Sequence, residues 1–302
     1  MKKLVILMST YNGEEFLKEQ LESLLNLDSS NLKIDIRIRD DGSSDNTINI
    51  LERYSKQNQN IKWYQGKNKG PAFSFLELLS KYKDYDYYAF CDQDDVWDKE
   101  KMVKAVELLE KVYDNPALYF SAVNIVDANL KFIMKKEPSI TNSFEHSFVA
   151  NPVIGCTLVF NKELAYIINQ SNISNLNIGM HDSWIYRVAQ SIDAKIIYDS
   201  NSYIMYRQHG NNVVGIKTKG KNKLEYFVKK NKRVIGDVAK GILNNYEEQL
   251  SDYKKQFLKN IVNLSEDKKM LLKIKILMNK KLRTESWKEN LKFRYDVLFN
   301  RI

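Results

Sequence analysis

Apolar and polar positions along the first 120 residues switch repeatedly between two periods. Leu4-Val5-Ile6-Leu7-Met8 is an unbroken apolar run, the pattern of a strand covered on both faces. Phe16, Leu17, Gln20, Leu21, Leu24 and Leu25 follow at helical spacing, and Ile34, Ile36 and Ile38 alternate as a strand. Asp45 can cap a helix carrying Ile48, Leu51 and Tyr54. A short strand is expected near residues 61–64 and a helix from about Pro71, with Phe75, Leu76 and Leu79 inward. Tyr87 to Cys91 reads as a buried strand and Lys101 to Val112 as a helix. This alternation predicts an α/β fold: a doubly wound, mostly parallel sheet with helices on both faces.

Residues 117–210 are more mixed. Leu118-Tyr119-Phe120, Ile154 to Phe160, Ile196 to Tyr198 and Tyr203 to Tyr206 read as strands, and Met180 to Gln190 as a helix. Past Lys217 only helical spacing remains, in Val234, Ile235, Val238, Ile242 and Leu243, then Leu271, Leu272, Ile274 and Leu277, then Trp287, Leu291, Tyr295 and Leu298. No internal repeat interrupts the chain.

Charge changes at the same place. From Lys217 to Ile302 there are 23 Lys+Arg against 10 Asp+Glu, while the rest of the chain carries 24 against 28. A basic helical end on a mildly acidic body predicts a domain at 1–215 and a basic amphipathic extension at 216–302. Such an extension suits an anionic membrane surface, a partner subunit (a homodimer included) or the body of the protein itself. No apolar run exceeds five residues, as in Leu4 to Met8, far short of the roughly 20 that span a bilayer. No small-residue cleavage site follows it, so a secretory signal is not expected. Cys91 and Cys156 lie in apolar segments and read as free buried thiols of a reducing compartment.

Ligands of open α/β sheets bind beyond the carboxyl ends of strands. Three expected strand ends carry polar clusters: Ser9-Thr10-Tyr11-Asn12-Gly13, Asp40-Asp41-Gly42-Ser43-Ser44-Asp45 and Asp92-Gln93-Asp94-Asp95. The last places three carboxylates in four residues, which repel one another unless a cation or proton intervenes. All-oxygen ligands of this kind suit Mg²⁺ or Mn²⁺ and not Zn²⁺. The plainer reading is a solvated turn with Asp95 or Asp98 capping a helix. Asp40-Asp41-Gly42 is by itself a turn signal, and its chemical reading has Asp40 accept a hydrogen bond from a nucleobase flanked by Thr10 and Tyr11. Asp182 opens a helix, as a cap or as a general base facing a hydroxyl. His209 is a surface residue or completes a carboxylate metal site. Gly-x-Gly-x-x-Gly, Gly-x-x-x-x-Gly-Lys-[Ser/Thr] and Gly-x-Ser-x-Gly are all absent, which disfavours a dinucleotide-binding Rossmann domain, a P-loop NTPase and a serine-elbow hydrolase.

The three clusters, in this order and at these strand ends, resemble the family 2 inverting glycosyltransferases of the GT-A fold. Phe90-Cys91-Asp92-Gln93-Asp94-Asp95-Val96-Trp97, Gly155-Cys156-Thr157, His181-Asp182-Ser183-Trp184 and Tyr206-Arg207-Gln208-His209 look most like its bacterial rhamnosyltransferase-like branch. The resemblance implies that Thr10, Tyr11, Asn12 and Asp40 hold the base and ribose of a nucleotide-sugar. It implies further that Asn68 and Gly70 line the donor pocket and that Asp92 and Gln93 lie beside the nucleotide. Asp94, with Asp92 and His209, would bind Mg²⁺ or Mn²⁺, and Asp182 would be the catalytic base. It implies a donor such as dTDP-rhamnose or a UDP-hexose, an oligosaccharide or lipid-linked acceptor, and a cytoplasmic enzyme peripheral to the inner face of the plasma membrane. The Gln-x-x-Arg-Trp element of processive synthases is missing, Tyr206-Arg207-Gln208-His209 standing in its place.

Two other classes compete. Asp92-Gln93-Asp94-Asp95-Val96 also fits the signature of haloacid-dehalogenase-like phosphatases, where Asp92 would be the nucleophile. That family places the motif on an early strand, whereas here about 90 residues of α/β pattern precede it. A nucleic-acid binder would account for the basic end, but not for acidic clusters at three strand ends, which repel phosphates.

Overall fold

The computed structural model of this chain describes residues 1–138, 143–210, 234–267, 270–299 and 301. Its contacts divide into two compact units. Met1–Pro138, Val153–Asn169 and Ala194–Gly215 make the first, and Ser139–Pro152, Gln170–Asp193 and Ile216–Ile302 the second. The contacts group 143–152 and 170–193 with the C-terminal helices, and the sequence-expected boundary at 215 lies outside the described residues. Composition marks where lysines accumulate, and packing decides which segments share a core.

The first unit is a sheet with helices against it. Its strands are β1 (Lys2–Thr10), β2 (Leu32–Asp40), β3 (Ile61–Gln65), β4 (Tyr87–Cys91), β5 (Val96–Trp97), β6 (Ala117–Val126), β7 (Phe132–Lys136), β8 (Val159–Asn161) and β9 (Lys195–Arg207). They run in the order β3-β2-β1-β4-β8-β6-β9-β5, with β7 paired to β6. Neighbours from β3 through β4 are parallel, as are β6 and β9, while β8 is antiparallel to β4 and β6. The helices are α1 (Leu17–Leu25), α2 (Thr47–Gln57), α3 (Pro71–Lys81), α4 (Lys101–Glu110) and α6 (Lys162–Asn169).

The expected apolar runs form the core. Leu4, Ile6 and Met8 of β1 face one side, with Leu17, Leu21, Leu51, Met102 and Leu109 from α1, α2 and α4. Val5 and Leu7 are equally buried, and on β4 the ring of Phe90 lies 5.1 Å from Phe75 of α3. Helices therefore cover both faces, which explains why β1 reads as a continuous apolar run. Each fully buried side chain of this size contributes roughly 1.5–3 kcal/mol over its exposed state.

Two expectations are corrected here. Ile154 to Phe160 is not one strand: a 3₁₀ turn, Gly155–Thr157, precedes a β8 of only three residues. The Thr157 hydroxyl donates to the Ile154 carbonyl at 2.7 Å and draws that backbone out of the ladder. The two short strands expected at 196–206 are one strand, β9, which absorbs Asp199 to Ser202 through a register shift against Ser121 and Ala122.

Among its described residues the second unit is helical: α5 (Phe144–Ser147), α7 (His181–Ser191), α8 (Val234–Tyr246), α9 (Asp252–Asp267), α10 (Met270–Met278) and α11 (Trp287–Leu298). Trp184 and Tyr246 are buried with ring centroids 6.4 Å apart. A Cβ on Gly241 would lie 2.7 Å from the Leu176 side chain and 3.1 Å from Trp184, so a larger residue requires these to shift. Lys254 donates to the carbonyls of Gln190 and Ser191 at 3.0 and 2.9 Å, satisfying acceptors left at the end of α7. Among the described residues no helix is long and apolar enough to cross a membrane.

Candidate active site

Parallel pairing puts three strand ends on one rim of the first unit. Thr10 stands opposite Asp40 in the β1–β2 register, and Met8 opposite Cys91 in β1–β4. The segments following these strands are tied to one another by side chains. Asn12, in the left-handed region at φ 47, accepts the Ser44 N–H at 2.8 Å, and its own N–H donates to the Ser43 hydroxyl at 2.8 Å. Gln93 bridges back to Tyr11, accepting its N–H at 2.8 Å and donating to its carbonyl at 3.1 Å. A Cβ on Gly13 would collide with the Gln93 amide as it sits in this bridge. Tyr11 itself is half exposed, its ring left open at the rim.

Asp40 is fully buried and its carboxylate is densely occupied. Oδ1 accepts the N–H groups of Gly42 and Ser43 at 3.0 and 2.8 Å and the Gln65 amide at 3.2 Å. Oδ2 accepts the hydroxyls of Thr10, at 3.0 Å, and of Ser43. A base N–H reaching Asp40 has to take a place that one of these donors holds. Asp41, to which sequence alone assigns no role, shapes the next loop. Its carboxylate accepts the N–H groups of Lys69 and Gly70, both at 2.9 Å, and is paired with buried Arg39. Asn68 and Gly70 are thereby brought to the end of β2. Arg39 continues to Glu77 at 3.1 Å, and a Cβ on Gly66 would lie 2.5 Å from its guanidinium. Partial burial raises the Glu77 carboxyl, but hydrogen bonds from Lys69 and Arg39 outweigh this and hold it at about 2.

The β4 end holds the acidic cluster. Asp94 meets His209 with Oδ2 and Nε2 2.8 Å apart, and His209 packs on Phe16 at 4.8 Å between ring centroids. Asp92, Asp95 and Cys156 present ligand atoms within 4.8 Å of one another. Asp95 is buried; burial first, then the charges of Asp94 and Asp92, push its carboxyl well above the usual carboxylate range. Lys101 is buried beside it, over the Trp97 ring at 3.5 Å, and burial pulls its ammonium down to about 8. Burial likewise holds Cys156 as a neutral thiol, so sulfur is a poor donor here. The structure thus brings Asp94 to His209 and Asp92 to Asp95 and Cys156, and among the described residues Asp92, Asp94 and His209 do not gather as one ligand group. Carboxylate and imidazole donors suit Mg²⁺ or Mn²⁺, and positive charge here would relieve the repulsion among Asp92, Asp94 and Asp95.

One buried side chain organises this cluster and went unrecognised in the sequence. Arg207 Nε donates to the Asp94 carbonyl at 2.8 Å, its backbone N–H donates to Asp95 Oδ1 at 3.0 Å, and its Nη groups reach Ala128 and Glu19. Its guanidinium also lies over Phe16, 4.4 Å from the ring centroid. The signal available was its place in Tyr206-Arg207-Gln208-His209, two residues before His209.

Asp182 belongs to the second unit, in the first turn of α7. Its carboxylate accepts the Ser183 N–H at 2.5 Å and the Asn151 amide at 3.4 Å. Part of the side chain stays open to solvent, yet its packed surroundings push the carboxyl up to about 6 against the Ser183 hydrogen bond and the Arg187 charge. A carboxylate in that range is suited to accept a proton near neutral pH. Burial holds neighbouring His181 neutral, down at about 3.

Polar strand ends on one rim of an open, mostly parallel sheet form the place where ligands of such sheets bind. The model of "Glycosyl transferase family 2" matches residues 5–165, and the chain belongs to that family. It is 35% identical over 220 residues to the dTDP-rhamnosyl transferase RfbG of Shigella flexneri, covering 69% of this chain and 73% of that one. It is 27% identical over 119 residues to the poly(ribitol-phosphate) beta-N-acetylglucosaminyltransferase TarS of Staphylococcus aureus, 39% of this chain and 21% of TarS. The fold superposes on S. aureus TarS 1-349 in complex with UDP-GlcNAc with a TM-score of 0.61 and 19% identity, over 99% of this chain and 82% of that one. The mannosyltransferase PcManGT of Pyrobaculum calidifontis, in complex with GDP-Man and Mn2+, gives 0.54 at 12% identity, over 100% and 88%. Family membership sets aside the phosphatase and nucleic-acid readings.

Proposed function

We propose that this glycosyltransferase moves L-rhamnose from dTDP-rhamnose to a hydroxyl of a lipid-linked polysaccharide precursor, with inversion at the anomeric carbon. The observation that carries the donor is the 35% identity to a dTDP-rhamnosyl transferase over 220 residues, a stretch that extends beyond the family model. Thr10, Tyr11, Asn12 and Asp40 hold the base and ribose. Asn68 and Gly70, drawn in by Asp41, border the sugar, and Asp92 and Gln93 lie beside the nucleotide. Asp94, Asp92 and His209 would hold Mg²⁺ or Mn²⁺, which when bound supplies positive charge against the leaving diphosphate. Asp182 takes the proton of the acceptor hydroxyl. That oxygen bonds to the anomeric carbon from the face opposite the nucleotide, and the bond to the diphosphate oxygen breaks.

A UDP-hexose is the second donor reading, favoured by the sequence match to the N-acetylglucosaminyltransferase. Thermal unfolding with dTDP, UDP and GDP, each with and without Mn²⁺, tests the site. A ligand that binds only the folded state at a hundredfold excess over Kd adds about 2.7 kcal/mol. A Mn²⁺-dependent shift largest with dTDP, followed by release of dTDP from dTDP-rhamnose with acceptor, supports the reading. A shift confined to UDP replaces the donor, and no shift with any nucleotide overturns the site.

A further inference from the structure

Residues 270–299 have no part in the chemistry above, and their surface is unusual. Half of the exposed large apolar side chains among the described residues, eight of sixteen, fall in this stretch. An ordinary soluble surface scatters such residues singly. On α10, Met270, Leu271, Ile274 and Met278 are 66, 83, 47 and 73% exposed, and their spacing gathers them on one side of the helix. On α11, Trp287, Leu291 and Leu298 form an exposed stripe at i, i+4 and i+11, with Arg294 between them at i+7.

These are not unburied core positions, because each helix has a separate packed side. Ile276, Leu282, Phe293 and Val297 are buried. Lys273 is buried too, and its ammonium donates to the Leu298 carbonyl at 2.8 Å. α10 thus turns a lysine inward and leucine, isoleucine and methionine outward, the reverse of what water favours.

Charge selects the occupant. Residues 270–299 hold eight Lys and Arg against three Asp and Glu, and Lys275, Lys280, Arg283, Lys288 and Arg294 are exposed. A second copy of this surface would set like charge against like. Nucleic acid would engage the basic groups through its phosphates and leave the exposed leucine, methionine and tryptophan unused. An anionic lipid surface accepts both the apolar stripes and the cations.

We propose that α10 and α11 dock this protein on anionic lipid, with Met270, Leu271, Ile274, Met278, Trp287 and Leu291 entering the acyl boundary. The proposal rests on the transferase reading only for its purpose, access to a lipid-linked acceptor; the surface stands without it.

The test is flotation of the full chain with vesicles of phosphatidylcholine, with and without phosphatidylglycerol, at low and high salt. Binding is expected only with phosphatidylglycerol, with a blue shift of tryptophan emission that Trp287→Ser removes. Leu271→Ser with Met278→Ser and Trp287→Ser, all at exposed positions, should keep the unfolding midpoint and lose flotation. Lys275→Glu with Lys280→Glu and Lys288→Glu should weaken binding by more than about tenfold, since each cation near an anionic bilayer counts. Equal flotation of wild type and the triple serine variant overturns the proposal. So does no flotation together with a dimer that the serine variant dissolves, or duplex-DNA binding that the serine variant retains. Nucleotide-induced thermal shifts on the same samples separate the two readings: a shift without flotation sinks this proposal alone, and flotation without a shift sinks the donor site alone.

Discussion

Arg207 Nε donates to the carbonyl oxygen of Asp94 at 2.8 Å, while the Asp94 carboxylate meets His209 two residues farther along the chain from that arginine. A single buried guanidinium therefore fixes both the loop that carries Asp94 and the strand end that delivers His209. Arg207→Lys keeps the charge but loses the planar fork. It should weaken Mn²⁺-dependent nucleotide binding by about tenfold or more, which is roughly 1.4 kcal/mol. Arg207→Ala should also lower stability by about 1–3 kcal/mol, because buried carbonyls lose their donor. Calorimetric titration beside thermal unfolding checks both, and unchanged affinity in Arg207→Lys would remove the positioning role.

A methyl group on Gly13 would collide with the Gln93 amide as placed and must push it off its bridge to Tyr11. Gly13→Ala should cost about 1–3 kcal/mol of stability through overpacking. Adding Gln93→Ala should return part of that stability but not nucleotide affinity, because the two-point bridge to Tyr11 is then gone. Denaturant midpoints and nucleotide titrations on the single and double variants decide the matter.

Replacing Asp94 by asparagine should abolish the Mn²⁺-dependent part of the thermal shift with nucleoside diphosphate. The fold should survive, since Asp94 is only partly buried and its backbone contact to Arg207 is retained. A full metal-dependent shift in this variant would place the cation on other residues.

Asp182→Asn should lower kcat by about 10²–10⁴, the usual contribution of a positioned base, and leave nucleotide binding unchanged. A loss smaller than about tenfold would assign the proton to another group.

The pH profile follows from the same side chain. Its carboxyl is pushed up to about 6 when folded, above the usual value of about 3.9 for aspartate, so between those values the folded state holds a proton that the unfolded chain has lost. Activity should fall as pH drops through about 6, where the base becomes protonated. Stability should move oppositely: this residue costs nothing below the unfolded value, and its penalty grows as pH rises toward about 6 and is constant above. Unfolding midpoints of wild type and Asp182→Asn across that window should converge at its acid end and part at its alkaline end.

Much of the sheet was readable because its central strands are covered on both faces: β1, β2 and β4 announce themselves as apolar runs or alternations. The adjacency of their polar ends follows from the parallel register. Elements defined by long-range pairing were not readable. β7 is exposed along its whole length and carries no inward pattern, and β8 is too short to show a period. α9 escaped notice although Phe257, Leu258, Ile261 and Leu264 lie at helical spacing, because lysine, glutamine and asparagine dilute the stripe. At the rim, acidic residues stand out by their number. Arg39 and Arg207 do not, because a buried arginine and the carbonyl it serves are neighbours only after folding.

The pairing of β6 with β9 has a consequence for synthesis. β6 ends at Val126 and its parallel partner begins at Lys195, so on a ribosome that flank stays open while everything between is made. β7 and β8 pair with β6 earlier in the chain, and β9 alone brings Arg207 and His209 to the acidic loop. A nascent chain stopped before β9 would display an unpaired, largely apolar strand edge, a template for association with other chains. The last strand thus closes the sheet and completes the acidic rim in one event, and incomplete chains should be cleared as aggregates rather than persist as half-active enzyme.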